Sequence, residues 1–371
     1  MIIKDVANFI EEIAPLTYAE DFDNVGLLVG DYNTKITNVL VTLDTLEETI
    51  EEAIAKNCNL IVSFHPIIFS GLKKLNGNSY VERSVLRAIK NNIAIYATHT
   101  ALDNSKVGVS ARMCEVLGLQ NTKVLIPKKN IIKKLITYIP SPEAENLRSK
   151  LFEAGAGNLG KYSEASFNFE GIGTFKGNES SNPSIGKKNE QHQEKEICIQ
   201  VIFESRDEAQ VINALLQNHS YEEVAYQIIS TENFHQDLGM GMIGELPEAM
   251  GEGDFLSYVK MIFKTGCIKH SAIRNKAVKK IAVLGGSGSF AIPNAIRQNV
   301  DAYISADFKY HDFFKAEGKI LLTDVGHYES EQFTKNLLVE HLTKKFINFT
   351  PRLEKGEIVL SEKSTNPIYY L

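Results

Sequence analysis

The chain has 371 residues, 43% of them hydrophobic and 23% charged, with a formal net charge of -6. That length predicts two domains of ordinary soluble composition. The acidic balance excludes a general attraction to nucleic acid or anionic membrane, and no run of about eighteen apolar residues could span a bilayer.

The opening MIIKDVANFIEEIAPL is acidic and amphipathic, without the pattern of a signal peptide, so a cytoplasmic protein is expected. Cys58, Cys114, Cys198 and Cys267 form no CxxC pair and read as reduced, mostly buried thiols, which removes a thiolate zinc site. Apolar spacing predicts a helix over 5–13, ended by Pro15. The acidic AEDFDNVGLLVGD, 19–31, reads as a surface loop. Strands follow at 38–43, 59–63 and 93–97, with helices at 47–56, 80–90 and 110–117. This alternation implies parallel βαβ units, whose ligands bind beyond the carboxyl ends of the strands. Asp44, His65, His99 and Asp103 all fall there. One such histidine would ordinarily be structural; several from successive strands point to a site.

The pattern changes near Pro127. Strand 131–139, helix 142–154, strand 165–169 with its partner from 172, strand 197–203, helix 206–217 and strand 224–229 predict an α+β, ferredoxin-like module. The polar tract 177–196 reads as a long loop or hairpin tip. His192 and His219 lack metal-like spacing and read as structural or solvated. The module separates two stretches of the first domain, so it is read as an insertion. The expected division is 1–127 with 247–371 for the α/β domain and 128–246 for the insert. The glycine-rich 238–246 is the return.

The first domain resumes with helix 255–263, strand 280–284, helix 291–298 and strand 301–305. A final apolar run, 320–323, leads into Asp324-Val-Gly, and His327 and Glu331 then stand one helical turn apart. An imidazole and a carboxylate converging there make half a divalent-metal site. The plain alternative is a helix start where Glu331 offsets the dipole and His327 caps. The full candidate set is His65, His99, Asp103, His327 and Glu331. Nitrogen and oxygen donors suit zinc, iron(II), manganese or nickel. Gly286-Ser287-Gly288 fits a short G-x-G-x-x-A pattern, with Asp307 about twenty residues on as a dinucleotide site wants. Its alternatives are a tight turn lining a cleft, or backbone N–H groups of Gly286 and Ser287 holding an anionic substrate. Lys309 could neutralise a phosphate and His311 could exchange protons; a surface cluster at a helix start is the alternative.

The segments AEDFDNVGLLVG, FHPIIFSGLKK, THTALDN, GGSGS, SADFKYHD and DVGHYESE, in this order, resemble the GTP cyclohydrolase I type 2 homologues, also called the Nif-three-like family. HSYEEVAYQI and GMGMIGELP match the closing part of the insertion in the longer members, a module similar to PII signal proteins. The resemblance runs nearly the whole length. It implies a split Nif-three-like α/β domain with a parallel or mixed sheet, and an inserted PII-like domain. It also implies a dinuclear metal centre and a ring-shaped homohexamer with the sites facing inward. Carried over by position, His65, Asp103, His327 and Glu331 are ligands, Glu331 bridging, with His99 a ligand or close neighbour. Phe64 stands where the family has a histidine, so one tight and one weak or empty site are expected. The family name implies GTP ring opening. The residues support only a metal-activated water attacking an electrophilic carbon or phosphorus. A metal-dependent hydrolase is therefore the leading expectation, with a nucleotide-like or phosphorylated substrate as a hypothesis, and the competing reading is a non-catalytic scaffold or small-molecule sensor. Neither a membrane nor nucleic acid is an expected partner.

Overall fold

The computed structural model describes residues 1–349 and 356–371. Two compact units divide the chain: 1–127 with 236–371, and 128–235.

The first unit carries two sheets rather than one. In the first sheet, strands Val39–Thr42, Leu60–Ser63 and Ala94–Ala97 run parallel. Ile358–Leu360 adds a parallel edge and Gly26–Val29 an antiparallel one. The inner strands are buried throughout because each face meets a core. Side chains alternate across a strand. Val39, Val41, Leu60, Val62 and Tyr96 therefore pack on one side with Ile3, Val6 and Ile10 of helix Ile3–Glu11. Leu40, Ile61 and Ile95 pack on the other with Ile50 and Val85. The stretch read as an acidic loop is thus partly strand, and its turn carries Asp23.

The second sheet repeats the plan. Strands Ala277–Ser287, Ala302–Ala306 and Leu321–Asp324 run parallel. Ile281, Val283, Ile304 and Leu321 face a core with Phe255, Val259 and Phe263. Ala282, Leu284, Tyr303 and Leu322 face another with Ile292 and Ala295. The glycine-rich return is itself a strand, Gly239–Gly251, paired antiparallel with Gln120–Pro127 and with Ala277–Ser287. Its first N–H donates to Asn104 O at 3.0 Å. That pairing returns the chain to the first unit at 236, not at 247 as the sequence suggested.

The second unit has the element order β-α-β-β-α-β. Its strands are Ile132–Pro140, Ser166–Lys176, Gln191–Glu204 and Tyr226–Ser230, all antiparallel. Helices Ala144–Glu153 and Glu208–Asn218 cover one face, packing Leu147, Leu151, Val211 and Leu215 on Leu135, Ile199 and Val201. Ser166–Lys176 is one strand, not two. The hairpin continues through Lys176↔Gln191, so part of the polar tract is strand and residues 177–190 are its tip.

Helix Glu252–Phe263 is tied to the second sheet by a buried ion pair. Arg274 Nε donates to Glu252 Oε1 at 2.6 Å, and Arg274 Nη1 and Nη2 donate to Lys319 O and Asp301 O. Burial would raise the Glu252 carboxyl, but Arg274 and the backbone N–H groups of Arg274 and Asn275 hold it below the carboxylate range. Its stabilising contribution is therefore complete above its unfolded pKa and is lost as pH falls through the folded value. Glu252→Gln is expected to cost about 3 kcal/mol at neutral pH, because it leaves a buried guanidinium without its counter-charge. Urea denaturation at pH 7 and again at about pH 3 checks this, and the difference from the unchanged protein should shrink in acid.

Candidate metal centre

The carboxyl ends of the two parallel strand sets supply the polar groups. After Thr42, Ser63 and Ala97 come Asp44, His65 and His99. After Ala306 and Asp324 come Asp307 and His327. Helix His327–Glu331 places its last residue one turn beyond its first.

His65, His327 and Glu331 offer ligand atoms that all lie within 4.8 Å of one another. Glu331 Oε2 stands 3.2 Å from His65 Nε2 and 3.2 Å from His327 Nε2. That oxygen is buried and has no hydrogen-bond partner. Each ring is held at its other nitrogen by an aspartate: His65 Nδ1 to Asp44 Oδ1 at 2.8 Å, and His327 Nδ1 to Asp307 Oδ2 at 2.7 Å. A carboxylate behind each imidazole is the arrangement that orients histidines toward a cation. A third pair, His99 Nδ1 and Asp23 Oδ1, lies at 2.7 Å. The His65 ring lies 5.4 Å from that of His327 and 5.5 Å from that of His99.

The charges are strongly coupled. Burial opposes protonation of the two rings, yet contact with Asp44 and Glu331 raises His65 to about 10. Asp307 and Glu331 similarly raise His327 to about 11. Burial would raise Glu331, but the two imidazoles hold it at about 2. Burial and the charge of Glu331 push Asp103 well up. Ligation by these rings would require any Nε2 protons to leave. A buried carboxylate oxygen facing two oriented imidazole nitrogens, with no hydrogen bond of good geometry to either, fits a divalent cation.

A cavity of about 230 Å³ opens on the cluster, lined by His99, Asp103, His327 and Glu331. Asp103 therefore shares the cavity but is not within the close trio. Exposed Phe22 and Phe290 line the same cavity. His99 sits at φ +27°, a left-handed value that costs a residue with a side chain about 1–3 kcal/mol. Its N–H donates to Phe64 O at 2.9 Å and Asp23 fixes its ring. Burial would raise Asp23, but His99 and Thr100 hold it at about 2. As a carboxylate it accepts, so His99 donates to it from Nδ1.

Gly286 backs the centre. At φ +67° its Cβ would lie 2.4 Å from Glu331 Oε1, so the glycine lets backbone pack against the carboxylate. Its N–H donates to Ser330 Oγ at 2.9 Å, and Ser330 Oγ donates to His327 O at 2.7 Å. Ser287 lines the cavity and donates to Asp307, whose carboxylate is thereby engaged with Ser287 and His327. This is a close-packed turn lining a cleft. Lys309 and His311 are exposed in the segment after the strand and do not line the cavity. Phe64 is wholly buried in the first core, its ring 4.9 Å from His65.

With this geometry in place, the comparison with known proteins is direct. The model of the Duf34/NIF3 (NGG1p interacting factor 3) family matches residues 1–367. The chain belongs to that family. A Bacillus subtilis (strain 168) relative called GTP cyclohydrolase 1 type 2 homolog is 36% identical over 371 residues, spanning 99% of this chain and 98% of the relative. The crystal structure of a Bacillus cereus protein related to NIF3 superimposes with a TM-score of 0.84 at 33% identity, over 100% of this chain and 99% of that one. A Staphylococcus aureus structure does so with a TM-score of 0.77 at 28% identity, over 100% and 99%. The mixed α/β architecture of this NIF3-family chain is therefore shared along its whole length.

Several supporting residues escaped the sequence. Asp23, Asp307 and Thr365 had no local signal as histidine partners; Asp44 had one only as a strand end. Thr365 comes from the C-terminal segment and donates to Asp44 Oδ2, behind His65. The neighbouring Asn366 Nδ2 donates to Glu329 Oε1 at 3.0 Å, on the His327 helix. Thr365→Val should weaken metal binding by about tenfold while leaving the thermal midpoint nearly unchanged, because it frees Asp44 without opening a core. Competition titration against a chromogenic chelator measures the first and a thermal melt the second.

Proposed function

We propose that this NIF3-family chain binds a divalent cation at His65, His327 and Glu331 and acts as a metal-dependent hydrolase on a nucleotide-like or phosphorylated substrate. The observation that carries the metal reading is the buried Glu331 Oε2, which among the described residues accepts no hydrogen bond of good geometry and faces two aspartate-backed imidazoles. Asp103 is the next oxygen donor in the cavity. Zinc, iron(II), manganese and nickel all suit this donor set. A cation there would supply Lewis acidity toward water and toward an electrophilic carbon or phosphorus.

The chain's own residues do the rest. His99, with its Nδ1 proton committed to Asp23, accepts a proton at Nε2. Phe22 and Phe290 offer rings on which a planar base can lie. Ser287 supplies a polar group on the cavity wall, and Lys309 and His311 stay candidates for outlying substrate phosphates. The proposal includes a homohexamer with inward-facing sites and a PII-like inserted domain, both from the family resemblance, and a cytoplasmic location, from the opening sequence and the unpaired cysteines. The B. subtilis relative's name motivates GTP as the first substrate to test.

The second reading is a metal-dependent scaffold or small-molecule sensor. It draws on the inserted unit, which has a cavity of its own. Incubation of the metal-loaded protein with GTP and with simple phosphoesters separates the two. Turnover that disappears in Asp103→Ala supports the hydrolase; no turnover from well-loaded protein favours the sensor.

Phe64 leads to one tight and one weak site, since a phenyl ring donates nothing to a metal. Elemental analysis of protein purified without added metal should give roughly one metal per chain, and Phe64→His should raise this toward two. Two tightly held metals in the unchanged protein would contradict it.

A further inference from the structure

The inserted unit holds a cavity of about 400 Å³ far from the metal ligands in sequence, with every lining residue between Tyr138 and Ala225. This volume is in the range of small-molecule sites. Phe175, Tyr138 and Tyr221 wall it, and the Phe175 and Tyr221 rings lie 5.9 Å apart at 59°. Glu196 stands on its lining and is only 8% exposed.

The surroundings hold that carboxylate in place. Tyr221 OH donates to Glu196 Oε1 at 2.7 Å. The other oxygen lies against the backbone of Gly173, where a Cβ would stand 2.2 Å from it, so any larger residue would displace the carboxylate. Tyr221 is fixed in turn: its N–H donates to His219 Nδ1 at 3.1 Å, and His219 Nε2 donates to Tyr138 O at 2.8 Å. The hairpin tip forms a built wall. Asn178 Oδ1 accepts from the N–H groups of Ser180 and Ser181, and Asn182 N–H donates to Glu222 Oε2 at 2.7 Å. That last bond joins the tip to the segment carrying Tyr221.

No lysine or arginine pairs with Glu196 among the described residues. Among the described residues the Tyr221 phenol is the donor to this carboxylate, which leaves it acceptor capacity on the cavity wall for a positive group or further N–H donors. Glu222 and Glu223 add negative charge to the lining and only Lys176 opposes it, so phosphate-bearing ligands are disfavoured. Aromatic faces beside a carboxylate are the chemistry that receives a guanidinium or ammonium group.

We propose that this cavity is a binding site for a small organic cation, its guanidinium or ammonium head paired with Glu196 and stacked on Phe175 and Tyr221. The site is independent of the metal centre. Agmatine and spermidine serve as probes of the two head groups, titrated calorimetrically into the full-length, metal-loaded protein, with ATP as an anionic control. At least one cation should bind with one-to-one stoichiometry per chain. Glu196→Gln should weaken it at least tenfold, Phe175→Ala should weaken it measurably, and Asp103→Ala in the metal centre should leave it unchanged. Melting curves confirm that the variants stay folded. Binding of neither cation, preference for ATP, or unchanged affinity in folded Glu196→Gln would each overturn the assignment.

Discussion

The structure turns on one carboxylate oxygen. Glu331 Oε2 is buried, two imidazole nitrogens face it at 3.2 Å each, and no N–H or O–H of the described residues reaches it in good hydrogen-bonding geometry. An unsatisfied buried acceptor costs a fold roughly 1–3 kcal/mol, more when it is charged. The surrounding architecture maintains this arrangement instead of removing it. Gly286 is without a Cβ where one would strike the same carboxylate, and Ser330 links the glycine loop to the helix that carries Glu331. A site so closely built around an electron-rich centre is suited to a cation.

The two sheets explain how distant residues reach that point. Each contains three central parallel strands buried on both faces, and polar residues follow the ends of these strands. The first sheet contributes the Asp44–His65 pair and the second the Asp307–His327 pair, so both histidines have the same support. Asp23 and His99 form a third pair beside them, its histidine strained at φ +27°. Strain and coupled charge meet at this place, where three histidine–aspartate pairs gather around one buried carboxylate.

Much of this was legible in the residues. Strand and helix alternation put His65, His99 and Asp103 at strand ends, and the one-turn spacing of His327 and Glu331 put them on one helix face. The β-α-β-β-α-β order of the insert was readable from its periodicity. What escaped was long-range or depended on backbone packing. Thr365 reaches Asp44 across 321 positions, and no local pattern records such a hydrogen bond. Gly286 fitted a phosphate-loop spacing, but the structure uses its missing Cβ for close approach to Glu331. The glycine-rich return was given no strand because its glycines hide the pairing with Gln120–Pro127 and Ala277–Ser287, and the compact unit resumes at 236. The polar residues 191–196 were read as tip although cross-strand pairing makes them strand.

The central claim is that a cation belongs between these side chains. Anomalous diffraction from crystals grown with zinc or manganese, recorded on both sides of the metal's absorption edge, tests it most directly. The account predicts a strong anomalous peak bonded to Glu331 and to Nε2 of both His65 and His327. Fully metal-loaded crystals with no peak there, or with the metal bound only elsewhere, would contradict it.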